Sequence, residues 1–550
     1  MKTDTSWWKN AAVYEIYIRS FFDSDGDGIG DLNGIRQKLP YLSALGVDAI
    51  WITPFFQSPG VDNGYDISDY YAVDPQYGTM EDFRALLAEA HERGIRIILD
   101  MVLNHTSALH PWFQESRASR ASRKRDWYIW RDEPNNWGSQ FGGSAWHRDR
   151  ETGQYYLGLF SAAQPDLNWQ NPQVRGAVKD VLHFWADMGV DGFRLDVISL
   201  IAKPEDYPDG EVNESGFADF HPFVANNPRV HDYLRELNAE VFAPYALFTV
   251  GEASAVTLAE ARKYCAADRH ELSTVFSFEH VGLDGSEEYK WTDRRIDLEE
   301  LKRVLLRWQE GAEACFPNAL FWCNHDQPRI VSRLGDKSTY RERSAKMLAA
   351  ALYGMRGVAF VYQGQELGML GGGFSSRAEL RDIESLQGYD ALRRAGYGDK
   401  DAMAIVSAKT RDNARTPMQW SAGRNAGFSS GEPWIKPGEN HEAINAEEQL
   451  ERGDSVFAFT RELLRLRRED PCLSEGRLFP CEDKPGVLAY ERRTENRSVL
   501  VVCNLTAEDQ RYPCPEGYAD GRVLLSNCPG SCYTADGRLM PYECAILEKP

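Results

Sequence analysis

Long apolar runs are missing from this 550-residue sequence: no stretch is long enough to cross a bilayer as a helix. The opening residues, MKTDTSWWKN, lack the apolar core of a secretory leader, so a cytoplasmic location is the expectation. Positive charge is in deficit. The net charge is −21, which argues against nucleic acid or anionic membrane as the main partner, because their phosphates would be repelled. The chain has 10 Cys but no C-x-x-C pair, so zinc has little support. Seven of them (Cys472, Cys481, Cys503, Cys514, Cys528, Cys532 and Cys544) fall near the C-terminal end and are expected as reduced thiols. What is present is an ordinary soluble composition, 43% apolar and 26% charged, with an aromatic share of 12% that suits a site for ring-shaped ligands.

Short apolar runs at 11–18, 48–53, 95–102, 192–197, 247–252, 273–278, 319–324 and 358–364 read as buried strands. Amphipathic segments lie between them. In 79–94, Thr79 is an N-cap with Asp82 three residues on, Phe83, Leu86, Leu87 and Ala90 share a face, and Gly94 ends the helix. Eight strands alternating with helices predict an α/β fold, a (β/α)8 barrel. The alternation places the first part of the barrel at 1–105, an inserted domain after strand three at 106–172, and the second part of the barrel at 173–475. A C-terminal antiparallel β domain of sandwich type follows at 476–550, where short β runs are parted by Gly, Pro and Asn.

One stretch near the start, FFDSDGDGIGDLNG, sets Asp23, Asp25, Asp27 and Asp31 close together. It begins like an EF-hand calcium loop, with a backbone-carbonyl position at Ile29, but Gly34 stands where that loop needs a bidentate Glu. A calcium sensor, a structural ion site and a plain acidic turn all remain open on the residues alone. The loop follows a strand and precedes a helix, whereas an EF-hand joins two helices.

Barrel active sites sit at the C-terminal ends of the strands. Reading those ends gives Asp100, Asn104 and His105 after strand three, Arg194 and Asp196 on strand four, Glu252 on strand five, and Asn324, His325 and Asp326 on strand seven. Asp196, Glu252 and Asp326 are expected at one mouth, where crowding raises carboxyl pKa values so that one group holds a proton. No Cys/His metal set and no nucleophilic Ser elbow occupies these ends. Two carboxylates with divided roles match glycoside hydrolysis.

The sequence resembles glycoside hydrolase family 13, the α-amylase family, and within it the oligo-1,6-glucosidase and dextran-glucosidase branch. The resemblance rests on GVDAIWITP, DNGYDISDY, DMVLNHTS, QPDLNW, GFRLDVI, TVGE, FWCNHDQPRIVSR and RDNARTPMQW, in that order along nearly the whole chain. It implies a retaining, exo-acting enzyme that releases glucose from the non-reducing end of a small oligosaccharide. Asp196 matches the nucleophile, Glu252 the acid/base and Asp326 the third acid, with a nucleophile-to-acid separation of about 5–5.5 Å. Arg194 is expected to keep Asp196 ionised, and His105 and His325 match sugar-hydroxyl ligands. Asp62, Tyr65 and Arg415 match the pocket floor, as an Asp–Arg grip on the terminal glucose and a ring for it to stack on. The branch also binds one calcium, which maps to Asp23, Asp25, Asp27, Asp31 and the Ile29 carbonyl.

Val197, after the nucleophile, goes with α-1,6 preference in this branch. Trehalose-6-phosphate hydrolases are the nearest alternative. They usually read QADLNW and place basic residues after strand six, where this chain has Glu279, Glu287 and Glu288 beside Lys290, Arg294 and Arg295. Broad α-1,4 or sucrose-active glucosidases stay open; the Arg-rich stretch of sucrose isomerases is absent. The usual VGEMPG-like text is VGEASA here, so Ala253 and Ser254 are expected to shape the leaving-group side. A catalytically silent relative acting as a binding or scaffold protein needs a lost acid, and all three are present.

Overall fold

A computed structural model of the chain describes residues 6–213, 216–253, 255–285, 290–313, 315–528, 530 and 533–550. Ser254, Glu287, Glu288 and Cys532, singled out above, lie outside the described residues. Eight of the apolar runs form parallel strands: β1 (Ala12–Ile16), β2 (Ala49–Ile52), β3 (Arg96–Val102), β4 (Gly192–Asp196), β5 (Phe248–Glu252), β6 (Thr274–Phe276), β7 (Asn318–Leu320) and β8 (Gly357–Tyr362). Their order in the sheet is β6-β5-β4-β3-β2-β1-β8-β7, the order of a (β/α)8 barrel. Strands β1, β2, β4 and β8 are buried along their whole length, as parallel strands covered on both faces must be.

The helix expected at 79–94 spans Met80–Glu92. Its start is a reciprocal cap: Thr79 Oγ1 accepts from the Asp82 N–H at 3.2 Å, and Asp82 Oδ2 accepts from the Thr79 N–H at 2.8 Å. Phe83, Leu86, Leu87 and Ala90 form its buried face, and Gly94 follows in the left-handed region at φ 74°. Several strands are shorter than their sequence runs, and at β7 the shortening moves candidate site residues. β7 stops at Leu320, so Asn324, His325 and Asp326 lie in the loop beyond it. Side chains take over the backbone N–H groups there: His325 N–H donates to Glu15 and Asp326 N–H to Asn324 Oδ1.

The chain divides into two compact units, one of Trp51–Glu92 with Arg96–Phe278, the other of Ser6–Ile50, Arg93–Ile95 and Glu279–Pro550. In the first, register puts Asp100 of β3 and Val250 of β5 on either side of Arg194 of β4. Side chains alternate along a strand, so Arg194 and Asp196 share a face. The insertion after β3 carries a three-stranded antiparallel sheet (Trp130–Arg131, Trp146–Arg148, Tyr155–Leu157). Its core of Trp137, Trp146, Leu157 and Leu159 also takes in Val197 and Leu200.

In the second unit, the C-terminal runs form β9 (Arg477–Pro480), β10 (Val487–Arg493), β11 (Ser498–Asn504), β12 (Arg522–Ser526) and β13 (Cys544–Glu548). They make one antiparallel sheet in the order β9-β10-β11-β13-β12. Among the described residues nine cysteines are free, and no helix is long and apolar enough to cross a membrane.

Candidate active site

Arg194 organises the first unit's acids. Its guanidinium is 1% exposed and donates from Nη1 to Asp100 Oδ1 at 2.8 Å and to Asp196 Oδ1 at 2.6 Å, and from Nη2 to Glu252 Oε2. Asp196 and Glu252 therefore sit on the two ends of one planar fork, a geometry a lysine could not impose. Asp100 is fully enclosed, and its Oδ2 accepts from Trp51 Nε1 and the Tyr65 hydroxyl, whereas Asp196 and Glu252 keep 9% and 13% of their side chains accessible. Of the three, these two keep a path to solvent.

One cation faces three acids here. Burial pushes the Asp196 carboxyl well above its usual range; Arg194 pulls it back, and Glu252 and Asp100 push it further. Arg194 thus acts on Asp196 in the expected direction, favouring its ionised form against burial and the two neighbouring acids. A single guanidinium faces three enclosed or nearly enclosed carboxyls.

Around them, Asp62 Oδ2 accepts from Gln164 Nε2 at 3.1 Å, and His105 Nε2 lies 3.1 Å from the Tyr65 carbonyl. Burial drives the His105 pKa down to about 4, so its ring is neutral at pH 7. Tyr65 is buried with its hydroxyl tied to Asp100, so the ring expected to stack on a sugar is held in place from its polar end.

The second unit has the opposite balance. Asp326 accepts from Arg415 Nη2 at 2.6 Å and Arg411 Nη1 at 3.2 Å, and lies 3.1 Å from His325 Nε2. The other nitrogen of His325 is 2.8 Å from Glu15, an acid on the otherwise apolar strand β1, and Arg411 also binds Asp382 at 2.6 Å. Burial disfavours charge on His325, yet Asp326 and Glu15 raise its pKa to about 10. Burial likewise works against a charged Asp326, but His325, Arg411 and Arg415 hold its carboxyl well below the usual range. Three cations face Asp326, Glu15 and Asp382, so Asp326 is a fixed anion. Its side chain is 29% exposed. Arg415, expected opposite Asp62, is paired with Asp326 inside its own unit.

The family described as alpha amylase, catalytic domain, matches residues 15–476. The chain belongs to the α-amylase family of glycoside hydrolases. Oligo-1,6-glucosidase of Halalkalibacterium halodurans is 46% identical over 554 residues, covering 98% of this chain and 99% of that protein. Trehalose-6-phosphate hydrolase of Bacillus subtilis is also 46% identical, over 565 residues and the whole of both chains. The crystal structure of Bacillus licheniformis trehalose-6-phosphate hydrolase matches with a TM-score of 0.93 at 44% identity, over 98% of this chain and 99% of that one.

In this glycoside hydrolase, Val197 follows the β4 acid in the left-handed region, at φ 35° and ψ 39°, a conformation costing a β-branched residue about 1–3 kcal/mol. Its N–H points at Glu252 Oε2, 3.2 Å away, so the strained turn supplies a donor to the second acid. Ala253, beyond Glu252, is fully buried.

The acidic loop lies in the second unit. Ligand oxygens of Asp23, Asp25 and Asp27 all fall within 4.8 Å of one another. Asp23 also accepts from the N–H groups of Asp25, Gly26 and Gly28, while Asp31 accepts from Ser24 and from the Gly34 N–H, capping the helix Leu32–Leu45. The structure also explains the missing EF-hand Glu: a Cβ on Gly34 would lie 1.9 Å from the Phe22 carbonyl oxygen. Clustered carboxylates are the hard oxygen donors that suit calcium.

Reading strand ends missed Glu15, Arg411 and Asp382. Glu15 had a signal, a lone charge in the run AVYEI, and Arg411 opens the motif RDNARTPMQW; Asp382 had none outside the fold.

Proposed function

We propose that this enzyme is a retaining, exo-acting α-glucosidase that releases glucose from α-1,6-linked oligosaccharides such as isomaltose. The observation that carries the retaining chemistry is the Arg194 fork joining two accessible carboxyls in a group with one cation for three acids. By the family resemblance, Asp196 supplies the anion that attacks and Glu252 the proton. Glu252 delivers the proton to the glycosidic oxygen as Asp196 attacks the anomeric carbon, forming the glucosyl-enzyme ester. Glu252 then takes a proton from water, which displaces Asp196 with net retention. Asp326, a fixed anion, has the electrostatics to stabilise oxocarbenium character. By the family resemblance, His325, His105, Asp62, Tyr65 and Arg415 hold the glucose.

Support for α-1,6 linkage comes from Val197 and from the segment after β6. Lys290 is ion-paired with Glu384 at 2.6 Å, Arg294 donates to the Gly285 carbonyl at 2.9 Å, and Glu279 is paired with Arg307. Basic side chains already engaged in this way offer little to a sugar phosphate. The second reading, trehalose-6-phosphate hydrolysis, is favoured by the equal identity to the Bacillus subtilis relative. A hydrolysis panel of isomaltose, panose, maltose, sucrose, trehalose-6-phosphate and dextran separates them. Isomaltose or panose should turn over fastest, with α-glucose as the first-formed anomer. Fastest turnover of trehalose-6-phosphate would overturn the α-1,6 reading, and β-glucose would overturn retention.

We also propose that the acidic loop holds a structural calcium ion. Asp23, Asp25 and Asp27 would bind it, with Asp31 and the Ile29 carbonyl added by the family resemblance. The ion would supply positive charge to an acidic turn and takes no part in the chemistry.

A further inference from the structure

A buried polar chain behind His105 decides which ring nitrogen carries its proton. Lys203, 4% exposed, reaches from the loop after β4 to Asp166 Oδ2 at 2.7 Å and Asn104 Oδ1 at 2.5 Å. An ammonium only donates, so Asn104 must present its oxygen to Lys203 and its NH2 to the other side. That NH2 lies 3.0 Å from Asp166 Oδ2 and 3.2 Å from His105 Nδ1. Nδ1 is therefore an acceptor, and the single proton of the neutral ring sits on Nε2, 3.1 Å from the Tyr65 carbonyl.

We propose that Lys203 is a positioning residue that, through Asn104, locks His105 in its Nε2–H tautomer. The opposite tautomer brings two N–H groups face to face at Nδ1. Escaping that clash requires turning the Asn104 amide, which would set its oxygen against the Asp166 carboxylate and its NH2 against the Lys203 ammonium. One contact favours the opposite form: Gln164 Nε2, 3.2 Å from His105 Nε2. That amide already has a better acceptor in Asp62 Oδ2, at 3.1 Å. The consequence rests on the glucosidase reading above. His105 then offers a sugar hydroxyl an N–H shared with the Tyr65 carbonyl, on the side of Tyr65 and Asp62, and Lys203 sets that polarity without reaching the sugar.

The test is nitrogen NMR on full-length, 15N-histidine-labelled protein without substrate, with His105→Gln identifying the His105 signals. The expected wild-type pattern is a bare Nδ1 and a protonated Nε2. Lys203→Met frees the Asn104 amide and should yield mixed tautomers. The KM of the best panel substrate should rise by up to about tenfold, the size of one neutral hydrogen bond, with kcat less affected. Asn104→Asp keeps a partner for Lys203 but only accepts at Nδ1, and should move the proton there; it reads the same relay if Lys203→Met does not fold. A wild-type proton on Nδ1, or an unchanged tautomer in a folded variant of either kind, overturns the proposal. Absence of glucose release from every sugar, with the tautomer pattern as expected, overturns the glucosidase reading and leaves this one standing.

Discussion

Replacing Arg194 by Leu tests the charge argument most directly. The guanidinium is 1% exposed and is the shared partner of Asp100, Asp196 and Glu252. Removing one member of a buried ion pair costs about 3–5 kcal/mol, because the remaining charge is stranded. Three carboxyls share the loss here, and they can relieve it by binding protons. Protonation disables the attack by Asp196, so the acidic limb of the pH–kcat/KM profile should move to higher pH. The sign follows from the site: burial already raises the Asp196 carboxyl and Arg194 lowers it, so loss of Arg194 raises it further.

Stability must carry the same sign. Acids whose folded pKa lies above the unfolded value stabilise at low pH and lose that contribution as pH rises through the folded value. The Leu variant should therefore gain on wild type as pH falls from 7 to 5, measured by urea denaturation. Arg194→Lys is the control. It keeps the charge but not the fork, so kcat should fall by about 100-fold, as for a misplaced reacting group, with a smaller movement of the acidic limb. An unmoved limb in a folded Leu variant, with wild-type stability at pH 7, would refute the reasoning.

His325, raised to about pKa 10 by Asp326 and Glu15 against the cost of burial, contributes stability in full below its unfolded value near 6.5. That contribution fades as pH climbs toward 10, so wild type should weaken over this range in denaturant titrations while His325→Gln shows a flatter profile. Asp196→Ala should abolish glucose release; retained activity in a reducing-sugar assay would remove Asp196 from the chemistry. Val197→Thr should raise maltose relative to isomaltose hydrolysis, and an unchanged ratio ends its role as the linkage handle. Chelator should lower the melting temperature and added calcium restore it, by the usual gain from a ligand that binds the folded state; no shift in calorimetry argues for a metal-free loop.

Local pattern was enough for the strands, for the capped helix Met80–Glu92 and for the position of Asp196 and Glu252 at strand ends, because burial and capping act within a few residues. It was less sure past β7, where side chains distant in the chain capture the backbone and end the strand early. It left Glu15, Arg411 and Asp382 unread.

The sequence by itself therefore determined which acids this enzyme has and the barrel that carries them. Only the tertiary structure decided which cations face them. Arg194 meets Asp100 across 94 residues and His325 meets Glu15 across 310, so the number of cations facing each acid exists only once the chain has folded. Carboxyl pKa values depend on that count and on burial, both properties of distance in space rather than spacing in sequence. The proton on His105 follows the same rule, set by Lys203 from 99 residues beyond Asn104.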